Sequence, residues 1–214
     1  AILLATAWNL ARQASAAPRP ARRPVALVVP HAGWAYSGAV AASAFRLLGP
    51  GSFSRVVVVA PSHYGAFEGY ALDDAAAYRT PLGEVPLDRE AFDLLRASGL
   101  SRVVPGVSGP EHAVEIELPF LQATLGSFRL VPVLVERVGA EEQEAFAARL
   151  ARLDDGRTLF VFSSDFTHYG PRFEYAPFGP TAGAHAKVRA LDAEALALLS
   201  RLDADGFRSF VREK

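Results

Sequence analysis

Four continuous apolar segments, rich in β-branched residues, constrain the fold of this chain more than any other feature. They cover residues 25–29, 55–60, 128–135 and 158–162. A strand with one face in water alternates apolar and polar residues, whereas a strand covered on both faces is apolar throughout. These segments therefore predict buried strands in a sheet that carries helices on both sides.

Helical patterns lie between and after the apolar segments. They span residues 37–48, with Ser37 as N-cap, and residues 87–98, 115–125, 140–153 and 181–211, the last interrupted at 203–206. Residues 70–78, with Gly83 and Pro86 beyond them, predict a strand pair. Strands and helices thus alternate along the chain. This order predicts an α/β fold: an αβα layered sandwich with a mostly parallel or mixed central sheet.

Length and charge limit the function classes. The chain has 214 residues, 50% of them hydrophobic, which favours a single domain over residues 1–214. Its 22 basic and 23 acidic residues nearly cancel, so neither nucleic acid nor a membrane is an expected partner, whereas a small-molecule substrate is. No apolar run is long enough to span a membrane, and we expect a cytoplasmic protein.

The first 17 residues allow two interpretations. Their apolar character resembles a signal peptide, but no basic segment precedes them and the apolar residues recur with a helical period. We favour an amphipathic helix here.

Three of the four predicted strands lead into turns that carry histidine. His31 follows the first strand, His63 the second, and His168 the fourth. A lone histidine at a strand end often only hydrogen-bonds a loop carbonyl. However, the carboxyl ends of parallel strands lie at one edge of a sheet, where α/β proteins bind ligands. We therefore expect these three histidines to meet in one pocket, together with Asp165.

Such a pocket favours a metal. The chain has 0 Cys, so any ligand within it is imidazole or carboxylate. Two imidazoles and a carboxylate suit Fe(II), Zn or Cu and leave coordination positions open. A third histidine beside the metal can transfer protons, because its unperturbed pKa lies near neutrality.

Four further residues are second-tier pocket candidates. His112 and Glu115 are three positions apart at the start of a predicted helix and share a face, although the helix dipole alone favours acidic residues there. Tyr64 and Tyr169 follow predicted strands, where aromatic residues more often pack than bind. A serine hydrolase using Ser62, Ser163 or Ser164 is a weaker interpretation, because no G-x-S-x-G motif is present.

Four ordered blocks resemble those of a known family. They are V-P-H-A-G-W-A-Y-S-G at 29–38, A-P-S-H-Y at 60–64, E-H-A-V-E-I-E-L-P-F-L at 111–121 and S-S-D-F-T-H-Y-G at 163–170. Over residues 25–214 the chain resembles the Memo-like family, called AmmeMemoRadiSam system protein B in bacteria and archaea. That family is similar in fold to the class III, LigB-type extradiol dioxygenases, which hold non-haem Fe(II) with two histidines and one glutamate.

The resemblance implies residue roles and partners. His31 and His63 would be metal ligands, and His168 would be the acid/base residue with Asp165 beside it. Family members are reported to bind iron or copper with a cysteine as third ligand. The T-x-C-G segment that holds this cysteine would follow Lys214, and the usual family opening is absent before Ala1, so we expect a chain truncated at both ends. AMMECR-type and radical SAM proteins are the implied partners.

The leading hypothesis is a Memo-like metal-site protein, a non-haem iron or copper redox enzyme or oxygenase of unknown substrate. One alternative is a non-catalytic binding or scaffold module on a dioxygenase-like fold. A Zn-dependent hydrolase is a weaker alternative. The bound metal separates the three hypotheses.

Overall fold

The computed structural model describes residues 22–213, so the helix predicted over residues 1–17 lies outside the described residues. The described chain forms two compact units that divide between Ser164 and Asp165. The first unit contains residues 22–164 and the second contains residues 165–213. The sequence-based expectation of a single domain stays a prediction.

Eight strands form the framework of the first unit. They are β1 (Ala26–Val29), β2 (Arg55–Pro61), β3 (Gly69–Leu72), β4 (Ala77–Thr80), β5 (Gly83–Pro86), β6 (Ser101–Val103), β7 (Arg129–Glu136) and β8 (Thr158–Ser163). Six of them make a sheet in the order β1-β8-β2-β7-β3-β6, and β4 and β5 form a separate antiparallel hairpin. Strands β1, β8, β2 and β7 are parallel, whereas β3 is antiparallel to β7.

The central strand β2 explains the continuous apolar pattern. Val56, Val57 and Val58 are all fully buried. Val56 and Val58 belong to one hydrophobic cluster and Val57 to the other, because successive side chains of a strand point to opposite faces. The sheet is therefore covered on both faces, and the predicted α/β class with a mostly parallel, mixed sheet is confirmed.

Five helices complete the first unit. They are α1 (Trp34–Phe45), α2 (Arg89–Arg96), α3 (His112–Glu115), α4 (Leu118–Leu125) and α5 (Ala140–Ala151). The prediction of Ser37 as an N-cap is wrong, because α1 begins three residues earlier with Gly33 as its cap. The Gly33 carbonyl accepts from the N–H groups of Tyr36 and Ser37, and the Ser37 hydroxyl donates back to the Ala32 carbonyl at 2.7 Å. Ser37 thus lies inside the first turn.

The single helix predicted over residues 115–125 is also wrong in its bounds. The structure has two helices here, and Pro119 lies in the first turn of α4. Proline has no N–H to donate, and its ring collides with the carbonyl four residues earlier, which is that of Glu115. The helix is interrupted just before this position. The break leaves α3 as a separate short turn that begins at His112.

The second unit contains two helices after a short 3₁₀ turn at Pro171–Phe173. Helix α6 spans Ala184–Ser200 and α7 spans Ala204–Glu213. The chain is interrupted between them at 201–203, earlier than the predicted 203–206, because α7 already begins at Ala204. Leu202 has a positive φ of 55° here, and the Asp203 carboxylate accepts the Gly206 N–H at 2.9 Å. Within residues 22–213, none of the helices is long and apolar enough to cross a membrane.

Candidate metal centre

The carboxyl ends of β1, β8 and β2 lie side by side in the sheet. The parallel register pairs Val29 with Ser163, and Val59 with Phe162. His31 follows β1 by two residues and His63 follows β2 by two residues, so both leave the same edge. Their ring centroids are 5.1 Å apart, with the rings at 77°. The structure therefore brings these two sequence candidates together.

A third imidazole joins them from α3. The ring centroid of His112 lies 4.7 Å from that of His63 and 5.9 Å from that of His31. Ala113 and Val114, the next two residues of α3, are buried in the core, which holds this short helix against the sheet. His112 was only a second-tier candidate in the sequence, yet it belongs to the same cluster of imidazoles.

Glu111 connects His63 to the start of α3. One carboxylate oxygen, Oε2, accepts the backbone N–H of His63 at 2.7 Å. The other, Oε1, accepts the Ala113 N–H at 2.9 Å and lies 3.0 Å from Nδ1 of the His63 ring. The Glu111 side chain is 1% exposed, so these contacts replace water almost completely.

The contacts of Glu111 keep it charged. Burial alone would raise the pKa of this carboxyl. The backbone N–H groups of His63 and Ala113, together with the His63 ring, outweigh burial and hold the pKa of Glu111 below its usual value. A buried carboxylate thus faces the imidazole cluster, which favours bound cations.

His31 is held from the other side of the cluster. Its Nδ1 lies 3.0 Å from Oγ of Ser163, the last residue of β8. The Ser163 hydroxyl is in turn 2.7 Å from the Ala113 carbonyl and 2.9 Å from Oε1 of Glu117. Because the hydroxyl has one proton and two other acceptors in reach, His31 Nδ1 is placed to donate to it. Nε2 of His31 therefore lies on the side of the ring that faces away from Ser163.

The donor set fits a transition metal. Ligand atoms of His63, Glu111 and His112 all lie within 4.8 Å of one another. Imidazole and carboxylate ligands of this kind suit Fe(II), Cu and Zn. The oxygens of Glu111 already accept two backbone N–H groups and also contact the His63 ring.

A cavity of about 350 Å³ lies next to the imidazole cluster. His112 and Glu115 contribute its polar lining, while Trp34, Ile116 and Pro119 contribute apolar walls. Trp34 is fixed in place because its indole N–H donates to the Ile116 carbonyl at 3.1 Å. The volume of this cavity lies near the lower end of the usual range for small-ligand sites, about 300–1,000 Å³.

Tyr64 lies at the rim of the cluster. Its ring is 6.4 Å from that of His63 and 6.0 Å from that of His112, and its side chain is largely exposed. This sequence candidate therefore lies where an incoming molecule would meet it.

The remaining candidates belong to the second unit. Nε2 of His168 lies 3.7 Å from Oδ2 of Asp165, and its ring lies 5.0 Å from that of Phe173. The Tyr169 hydroxyl donates to the Gly179 carbonyl at 2.8 Å, which gives this residue a packing role inside its own unit. That His168 and Asp165 join His31 and His63 in one pocket stays a prediction.

Glu111 and the orienting role of Ser163 were missed in the sequence. Glutamate is an uncommon N-cap, so Glu111 carried no capping signal. Ser163 ends an apolar strand and is followed by Ser164 and Asp165, so the pattern indicates only the end of the strand. The only available signal was the position of Glu111 directly before a histidine in one of the four blocks.

Comparison with known proteins agrees with the resemblance of those blocks. The sequence model of the family described as "Memo-like protein" matches residues 6–214. The chain belongs to this family. Memo-like proteins have a LigB-like fold, in agreement with the mixed sheet and its flanking helices. The family assignment made from the sequence is thereby confirmed.

Several curated Memo-like proteins are similar to this chain. Protein MEMO1 of Xenopus tropicalis is 32% identical over 208 residues, covering 94% of this chain and 69% of that protein. The memo-1 homolog of Caenorhabditis elegans is 32% identical over 194 residues, covering 88% of this chain and 55% of that protein. Human MEMO1 is 30% identical over 208 residues, with 94% and 69% covered.

Proposed function

We propose that this Memo-like chain binds iron or copper at His31 and His63 and acts in redox chemistry. The observation that carries the proposal is the meeting of three imidazoles at one sheet edge, with ring centroids 4.7 to 5.9 Å apart. Three imidazoles that meet at one place offer several nitrogen ligands to a single transition-metal ion.

The protein's own groups prepare the ligands for this role. Glu111 is bonded to the Nδ1 side of His63, and Ser163 is bonded to the Nδ1 side of His31. Metal-binding histidines generally use their second nitrogen in this manner, because the hydrogen bond fixes the ring and raises its basicity. When bound, iron or copper would supply one-electron redox chemistry at this site.

The cavity beside His112 is the proposed place for the substrate. Glu115 is the one charged side chain among the described residues that line it. An anionic substrate would meet this carboxylate without a compensating base, so a neutral or cationic molecule fits better. His168, with Asp165 at 3.7 Å, is proposed as the acid/base residue, because a histidine beside a carboxylate can hold and release a proton near neutral pH.

Two other functions remain as competitors, together with the partners implied by the family. Zinc at the same imidazoles would support hydrolysis, and a chain that binds no metal would be a binding or scaffold module. AMMECR-type and radical SAM proteins stay proposed partners.

Metal analysis of protein purified without oxygen tests the proposal. We expect close to one iron or copper per chain, and loss of most of it in His31→Ala and His63→Ala. His185→Ala, which changes an exposed histidine of α6, is the matched control and should keep its metal. Zinc in place of iron and copper would favour the hydrolase. A chain that neither contains a metal nor binds Fe(II), Cu(I) or Zn(II) in titrations would contradict the metal centre.

A further inference from the structure

We propose that Glu111 is a positioning residue that holds His63 in the tautomer with its proton on Nδ1, so that Nε2 is the nitrogen offered to a ligand. The expected effect on metal affinity rests on the proposed function. The structural content of the inference concerns this chain's own residues and can be tested without any metal.

The contacts of Glu111 exceed what helix capping requires. A cap needs one acceptor for an N–H of the first turn, and Asp, Asn, Ser or Thr serve this purpose best because their side chains are short. Glu111 satisfies this need because its Oε1 accepts the hydrogen bond from the Ala113 N–H. It also reaches back to the turn after β2, where it accepts both the backbone N–H and the ring contact of His63. The longer side chain therefore has a second task.

The position of the proton on His63 follows from these contacts. Both oxygens of Glu111 lie against a backbone N–H, which can only donate, so each oxygen acts there as an acceptor. Nδ1 of His63, 3.0 Å from Oε1, must then be the donor. In a neutral imidazole the opposite nitrogen is unprotonated, so Nε2 keeps a lone pair. This is the state in which a histidine binds a metal.

The same oxygen also faces the second ring. Nδ1 of His112 is buried and lies 3.4 Å from Oε1 of Glu111, in a geometry that does not satisfy a hydrogen bond. Oε1 thus lies between the Nδ1 atoms of His63 and His112, and both rings point their Nε2 atoms away from the carboxylate. One carboxylate is therefore placed to orient two imidazoles.

The first experiment uses the unaltered, metal-free protein. Nitrogen-15 NMR of the histidine rings at pH 8, above the unperturbed imidazole pKa of about 6.5, reports which ring nitrogen carries the proton. We expect the Nδ1–H tautomer for His63. Predominance of the Nε2–H tautomer, or an even mixture of the two, would overturn the proposal without any variant being made.

Two substitutions separate positioning from capping. Glu111→Asp keeps a carboxylate of good N-cap length but withdraws it from the His63 ring, so the helix cap should survive while the tautomer preference is lost. Glu111→Gln replaces one acceptor oxygen with an NH₂ donor, so one of the engaged N–H groups loses its partner. In both variants we expect Fe(II) or Zn(II) affinity to fall by about 10- to 100-fold, the usual effect of losing such an orienting group.

Asp88→Asn is the matched control. Asp88 is another buried N-cap carboxylate, which accepts the Ala91 N–H at 3.0 Å and pairs with Arg55 at 2.8 Å. It lies at the amino end of the parallel strands, where its N–H donates to the Leu130 carbonyl, whereas the histidines follow the carboxyl ends. The Asp88→Asn substitution should lower the free energy of unfolding while leaving the His63 tautomer and the metal affinity unchanged. Wild-type affinity and tautomer in Glu111→Asp would show that Glu111 only caps the helix. If wild-type protein binds no metal but His63 keeps its Nδ1 proton, the proposed function fails while the positioning role stands.

Discussion

His31 and Ser163 are in contact across two neighbouring strands, with Nδ1 of one 3.0 Å from Oγ of the other. The parallel register that pairs Val29 with Ser163 makes this contact geometrically available. Ser163 is 2% exposed and also reaches the Ala113 carbonyl, so it connects the turn after β1 to the helix that carries His112. The register of β1 against β8 thus helps to place the His31 ring relative to the His112 ring.

Ser163→Ala should weaken metal binding by about tenfold, as expected when a ligand histidine loses its orienting partner. It should also lower the free energy of unfolding by about 1–3 kcal/mol, because buried hydrogen-bonding groups lose their partner. Isothermal titration with Fe(II) or Zn(II) and urea denaturation measure the two effects. Ser164→Ala, at the next and exposed position, is the control. Full affinity in Ser163→Ala would show that His31 needs no such support.

The three strand-end histidines should differ in their effect on metal content. His31→Ala and His63→Ala should each remove most bound iron or copper, because the loss of one ligand leaves a weak site. His168→Ala should retain the metal and lose proton-transfer activity. Metal analysis of the three purified variants is the measurement. Equal metal loss in all three would mean that His168 is a ligand and that the assigned roles are wrong.

Gly65→Ala should disturb the turn that carries His63. A Cβ at Gly65 would lie 2.4 Å from Cγ1 of Val107, a buried core residue. We expect a loss of about 1–3 kcal/mol in unfolding free energy, the usual cost of overpacking, and weaker metal binding. Denaturant titration and metal titration measure both.

Adding Val107→Ala to Gly65→Ala should restore part of the loss, because it removes the Cγ1 atom that the new methyl group meets. Gly49→Ala is the control, since nothing lies within 4 Å of a Cβ built there. If the double variant is no more stable than Gly65→Ala, the clash with Val107 is not the cause.

Asp155 should contribute to stability in a pH-dependent manner. The backbone N–H of Arg157, with further contributions from Thr158 and Arg55, holds the pKa of Asp155 below its usual value despite some burial. A carboxyl with a lowered folded-state pKa stabilises the fold above its unfolded pKa of about 3.9, and this contribution disappears as the pH falls through the folded-state pKa. Urea denaturation of wild type and Asp155→Asn should therefore differ at pH 7 and converge at acidic pH. A constant difference across this range would contradict the assignment.

The four main strands were predictable because burial on both faces leaves a local pattern in the sequence. Their observed bounds differ from the predicted ones by no more than one residue at either end. Strand β6 was not predicted, since three residues with one exposed position carry no clear pattern. The antiparallel direction of β3 beside β7 was equally invisible, because a strand's own residues do not encode the direction of its neighbour.

The sequence by itself determined the α/β class, the Memo-like family and the strand-end positions of His31 and His63. These follow from periodicity and from short ordered motifs, which are properties of neighbouring residues. Only the tertiary structure decided that His112 lies beside His63 and that Glu111 bonds to it. Glu111 and His63 are 48 positions apart, and their contact depends on how α3 packs against the sheet. No local pattern records such a contact, because its free energy is gained only once the surrounding core has assembled.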